Sequence, residues 1–192
     1  MSIISEITSR TATLTRSILV TFFLIAISAP VSADDSRLDE LFAELQQPDL
    51  QDWKSVEDKI WQEWSKSGSV AMDLLLSRGR DAMSAGEYDE AISHLTALVD
   101  HAPEFAEGWN ARATAFFMMD EYGLSVSDIQ HVLALNPRHF GAMAGLGMIL
   151  EEIGNPKEAL TVYTKALEVH PHQPQVIEAV ERLRAAVEGT SL

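Results

Sequence analysis

The sequence predicts an all-α solenoid of antiparallel helix pairs. Three observations carry this expectation. Prolines stand at positions 103, 137 and 171, a constant interval of 34 residues. A small residue recurs in one phase of that interval, as Gly79, Ala113 and Gly147. Large apolar residues recur in others, as Leu75, Trp109 and Met143, and as Leu95, Ile129 and Tyr163. A fixed period of this length marks units that bury their apolar faces by stacking on their neighbours.

Composition narrows the function classes. A hydrophobic fraction of 46% over 192 residues is that of a globular chain with room for a targeting segment. No cysteine is present, which removes disulfides, thiolate metal sites, cysteine nucleophiles and a lipidated N-terminal cysteine. A formal net charge of −15 repels phosphate backbones, so nucleic acids and anionic membrane surfaces are not expected partners.

In chain order, residues 1–33 read as a secretory signal. Arg10 and Arg16 precede a short apolar run from Ile18 to Ile27, and Val31-Ser32-Ala33 offers an A-x-A-like cleavage site. An uncleaved N-terminal anchor is the alternative; after cleavage no membrane insertion is expected. In a bacterium the mature chain would be periplasmic. Residues 34–68 read as a helical hairpin. Leu38, Leu41, Phe42 and Leu45 form one apolar stripe, closed by Gln46-Gln47-Pro48; Trp53, Val56, Ile60, Trp61 and Trp64 form a second. Leu41, Trp61 and Trp64 lie one period before Leu75, Leu95 and Leu98, so the hairpin is expected to be a degenerate repeat capping the first regular one. Its tryptophans are expected to pack there rather than contact a partner.

Three units follow without insertion, at 72–105, 106–139 and 140–173. Gly79, Ala113 and Gly147 let the two helices of each pair approach, with Ala91, Ser125 and Ala159 opposite. Gly86 and Gly154 fit the left-handed C-terminal position of a helix, where the second unit has Asp120. Asn155-Pro156 reads as an N-cap and first helical residue. The three period-setting prolines end the second helix of each unit. Residues 174–188, with a stripe of Val176, Ile177, Val180, Leu183 and Val187, read as a solvated cap helix.

The three units resemble the tetratricopeptide repeat pattern of a large residue, a small one, an aromatic or apolar one, then Ala, an aromatic, Ala and Pro. The match covers about half the chain. The resemblance implies a right-handed solenoid whose first helices line a concave groove holding a protein or peptide. Carried over by position, the groove comprises Asp73, Leu76, Arg80, Met83 and Ser84; Glu107, Asn110, Thr114, Phe117 and Met118; and Gly141, Ala144, Met148, Glu151 and Glu152. The partner-binding candidates among these are Leu76, Arg80, Met83, Asn110, Thr114, Phe117, Met118, Met148 and Glu151. Some could instead be covered by the N-terminal hairpin. The carboxylate clamp of chaperone-binding members is not expected, because Leu76, Ala111, Gly141 and Gly145 hold four of its positions. A groove mixing apolar residues with acids fits a segment with apolar anchors and basic flanks. The chain also resembles short exported tetratricopeptide proteins of Gram-negative bacteria, especially alphaproteobacteria, which implies a role in envelope integrity or complex assembly. A chaperone-like maturation module, of the cytochrome c biogenesis or outer-membrane assembly type, is the alternative.

No chemistry is expected. The histidines at 94, 101, 131, 139, 170 and 172 include no i, i+4 pair and read as scattered surface residues. The neighbouring carboxylates of Glu151-Glu152 and Asp89-Glu90 point to different faces of a helix and read as solvated charge. Neither a phosphate-binding loop nor a nucleophile elbow occurs. The expectation is a non-enzyme with no cofactor, no metal and no small-molecule substrate.

Overall fold

A computed structural model describes residues 33–189. The expected leader, Ala33 apart, and the last three residues lie outside the described residues. Nine helices and no strand occur among the described residues: α1 (Ala33–Leu45), α2 (Trp53–Trp64), α3 (Val70–Ser84), α4 (Tyr88–His101), α5 (Ala106–Met118), α6 (Tyr122–Leu135), α7 (Phe140–Glu152), α8 (Pro156–Val169) and α9 (Pro174–Gly189).

α3/α4, α5/α6 and α7/α8 are antiparallel pairs, stacked in order so that α4 meets α5, α6 meets α7 and α8 meets α9. α3, α5 and α7 line one side of the stack. Each pair closes around a small residue. A Cβ at Gly79 would stand 2.5 Å from Leu95 Cγ, and one at Gly147 would overlap the Tyr163 ring. The turns within pairs use the left-handed region: φ is +77° at Gly86, +80° at Gly154 and +59° at Asp120. Asp120 pays a small steric cost there that glycine avoids, and its carboxylate accepts a bond from the Tyr122 hydroxyl.

One buried ion pair ties three helices of the stack. Arg112 on α5 donates from Nε and Nη2 to both carboxylate oxygens of Asp128 on α6, at 2.7 and 2.9 Å, and from Nη1 to Thr96 on α4. Such a two-pronged match fixes geometry as well as charge.

The N-terminal hairpin corrects the expectation. It does not stack on the first pair. Leu41, Phe42, Leu45, Val56, Ile60 and Trp64 form a core with Phe140, at the start of α7, and with Val169, at the end of α8. Polar contacts follow the same seam: Asp39 pairs with Arg138, Gln46 donates to the Glu168 carbonyl, and His172 donates to the Gln47 carbonyl. The hairpin thus rests on the loops that join successive pairs.

The outer face of α3 is therefore open, and its sequence accounts for that. Ser77 and Asp81 occupy the phase of Ala111 and Ala115, which are buried against α4 in the next pair. Leu74 occupies the phase of the buried Gly108 and Ala142 and is 50% exposed. Polar substitution on α3, not a covering hairpin, ends the stack.

Candidate functional site

The inner face of the stack divides lengthwise. Near the N-terminal ends of α3, α5 and α7 it is occupied by the hairpin and the strand of chain that follows it. Trp61 lies directly on Gly141: a Cβ there would be 2.6 Å from Cη2 and 2.9 Å from Cζ2 of the indole. Only glycine lets the ring sit this low. Trp64 stacks on His139 with ring centroids 4.3 Å apart and planes 14° apart. Ser67 bonds to Asp73 through its amide and its hydroxyl. Arg80 donates to the Ser65 hydroxyl and to Glu107.

Glu107 is the hub of this half. It is 3% exposed, and its carboxylate accepts from Arg80, from Asn110 and from His139 Nε2 at 3.0 Å. His139 Nδ1 accepts the Ala142 amide at 3.1 Å, which caps α7 and places the ring proton on Nε2. Arg80 matches the buried charge, and every lone pair that matters has a donor. The expectation of surface histidines fails here: His139 and His170 are both fully buried.

His170 sits at the junction of α8 and α9. Its Nδ1 accepts the His172 amide, and its Nε2 stands 3.5 Å from Glu57 Oε1 without a hydrogen bond. Burial, and secondarily the charge of His172, lowers its pKa to about 4. Burial likewise holds the Glu57 carboxyl above the usual range.

The other half of the inner face is open. A cleft of about 310 Å³ lies between α5 and α7, lined by Asn110, Ala113, Thr114, Phe117, Met118, Ser125, Ile129, Gly141, Ala142, Ala144, Gly145, Met148 and Ile149. Met118 and Met148 are 51% and 47% exposed on its two walls. Phe117 forms part of the floor, half-buried, its ring 5.7 Å from Tyr122. Of the candidates carried over by position, Asn110, Thr114, Phe117, Met118 and Met148 converge here. Leu76 does not: it is 2% exposed, in the core of the first pair. Met83 packs against the same core, and Arg80 serves the Glu107 hub.

Glu151 faces a second cleft, of about 420 Å³, on the other side of α7. It is not free solvated charge. Arg182 of α9 bonds to both its oxygens, at 2.6 and 3.1 Å, and the Tyr163 hydroxyl donates to it at 3.0 Å. The arginine holds the Glu151 carboxyl below its usual range, while burial and this carboxylate raise the Tyr163 phenol. Glu57, Trp61, Gln173 and Arg182 were not legible as members of this wall. Their neighbourhood is made by the hairpin's seat, which no local spacing encodes. Among the described residues no group of three His, Asp or Glu is placed to hold a metal ion, and no helix is long and apolar enough to cross a membrane.

Comparisons with known proteins agree with this architecture. A family model described as tetratricopeptide repeat matches residues 76–124 and 119–174. The chain is 35% identical over 159 residues to a TPR repeat-containing protein of Rhizobium etli, covering 82% of this chain and 78% of that one. It is 30% identical over 118 residues to small glutamine-rich tetratricopeptide repeat-containing protein 2 of Saccharomyces cerevisiae, covering 62% of this chain and 34% of that one. Among solved structures, MamA superposes with a TM-score of 0.58 at 20% identity, over 82% of this chain and 85% of that one. The first TPR of Spaghetti, bound to an HSP90 peptide, superposes with a TM-score of 0.59 at 24% identity, over 62% of this chain and 94% of that one. At these identities the two structures speak for the fold.

Proposed function

The chain belongs to the tetratricopeptide repeat family, and from that premise we propose that it is a non-catalytic adaptor that holds a protein segment in the open half of its groove. The observation that carries this reading is the cleft between α5 and α7, apolar, uncovered and edged by two exposed methionines. A single apolar side chain and its neighbours would fill a volume of about 310 Å³. Arg80 and Asn110 are already bonded to Glu107, so neither is available to clamp a terminal carboxylate. The excess of acids favours a segment with basic residues beside its apolar anchor.

The export reading supports a place in the periplasm, with a role in envelope integrity or complex assembly; the Rhizobium relative is in keeping with an alphaproteobacterial setting. Methionine on both walls also favours a second reading, a chaperone-like maturation module whose ligand is an unfolded chain, because thioethers adapt to varied partners.

The test is capture from a periplasmic extract by the chain and by its Met118→Asp, Met148→Asp variant. The adaptor reading expects one defined folded partner, lost with the variant. A heterogeneous set of unfolded chains would favour the maturation reading, and equal capture by both proteins would refute the groove assignment. N-terminal sequencing of the exported chain is expected to start at Asp34; an intact leader would refute cleavage.

A further inference from the structure

The second cleft lies between α7 and α9 and is roofed by α2. It shares Gly141, Ala144 and Met148 with the apolar cleft, so the two open on either side of one helix. Their walls differ in kind. Trp61, Phe140 and Tyr163 supply aromatic surface. Glu57 contributes a partly buried carboxylate that has a hydrogen bond with the Trp61 side chain, while His170 Nε2 stands 3.5 Å away and forms no hydrogen bond. Gln173, only 8% exposed, lines the cleft with a side-chain oxygen that has no partner. The cation on this wall, Arg182, is committed to Glu151 through two bonds. The cleft therefore offers an unpartnered amide oxygen, a carboxylate paired with no lysine or arginine of its lining, and aromatic faces, in a chain of net charge −15.

We propose that this cleft is a subsite for a lysine or arginine side chain of the partner segment, its cationic head directed at Glu57 and Gln173 and its stem laid against Trp61. A partly buried carboxylate and a buried amide oxygen both gain from a charged donor. A cation near aromatic faces is also attracted to the rings, most strongly to Trp. The proposal rests on the adaptor reading and deepens it, because the apolar cleft beside it takes the anchor. An α-helix is about 10 Å across, and an extended chain advances about 3.3 Å per residue. The basic residue should stand about three residues from the apolar anchor in an extended segment.

The test is selection of a displayed random peptide library on the full-length chain, repeated with Glu57→Gln and Gln173→Met. Both replacements are near-isosteric, and thermal melts confirm that each variant is folded. Wild type is expected to enrich peptides that pair an apolar residue with Lys or Arg at one fixed offset. Replacing that basic residue with Gln in a synthetic consensus peptide should weaken binding about tenfold. Both variants should retain the apolar preference and lose the basic one. Apolar enrichment with no basic residue at a fixed offset, or a basic preference that survives both variants, overturns the subsite and leaves the adaptor reading standing. No enrichment by wild type overturns the adaptor reading and the subsite with it.

Discussion

Replacing Gly141 with alanine should change sign according to what stands at position 61. The added Cβ would lie 2.6 Å from Trp61 Cη2 and 2.9 Å from Cζ2. Carbon atoms rest about 3.5–4.0 Å apart, so the indole must retreat by about 1 Å from a surface shared with Trp64, His139 and Phe140. Overpacking of this kind costs about 1–3 kcal/mol. Alanine in place of glycine in a helix returns up to about 1 kcal/mol. The net expectation is a loss of about 1–2 kcal/mol in the wild-type background. With Trp61→Ala the obstruction is gone, and Gly141→Ala should be neutral or stabilising by up to about 1 kcal/mol. The double-mutant cycle should therefore give a coupling of about 2 kcal/mol, the size found for residues in contact. Urea denaturation followed by far-UV circular dichroism measures all four proteins without relying on the altered tryptophan set. If Gly141→Ala stabilises both backgrounds equally, Trp61 does not lie on α7 and the seating of the hairpin is wrong.

Acid should weaken the fold through His170. Its folded pKa of about 4 lies below the ordinary 6.5, so the unfolded chain takes up the proton first; the contribution is complete above about pH 6.5 and is lost as pH falls toward 4, a span worth about 3 kcal/mol at most. Glu57, raised by burial, works in the opposite direction as it protonates. The stability difference between wild type and His170→Phe should shift by 1 kcal/mol or more over that interval; parallel pH profiles would refute a buried neutral ring. Asp128→Asn removes one partner of a buried pair and should cost about 3 kcal/mol by chemical denaturation, whereas a cost below about 1 kcal/mol would make the pair equivalent to a surface one. Met148→Ala should leave the melting temperature within about 2 °C while weakening capture of the selected peptide. Phe117→Ala, on the floor of the same cleft, should reduce both.

The stack itself was legible because its code is local and repeated. Pro103, Pro137 and Pro171 and the phase of Gly79, Ala113 and Gly147 place seven of the helices, and the turn glycines fall where φ is positive. The hairpin's position was not legible. Leu41, Trp61 and Trp64 keep the phase of a repeat, and phase gives the buried side of a helix without naming what buries it. The clue to an open first pair lay in Ser77 and Asp81, polar where Ala111 and Ala115 are apolar. The clue to the real seat lay in Gly141, a glycine in a helix where no turn needs one. His139 and His170 were misread for a related reason. Motif spacing tests for a metal site, and it is silent on a histidine held by a backbone amide on one nitrogen and a carboxylate from another helix near the other.

The hairpin occupies one half of the groove, which leaves the methionine-edged half open to a partner. The most direct test of this division is NMR of the chain labelled at its methionine methyl groups, titrated with the consensus peptide. Saturable shifts are expected at Met118 and Met148, on the cleft walls, and none at Met72, half-buried against the core of the first pair. Shifts confined to Met72 and Met83, with Met118 and Met148 unmoved, would place the partner at the open end of α3 and contradict it.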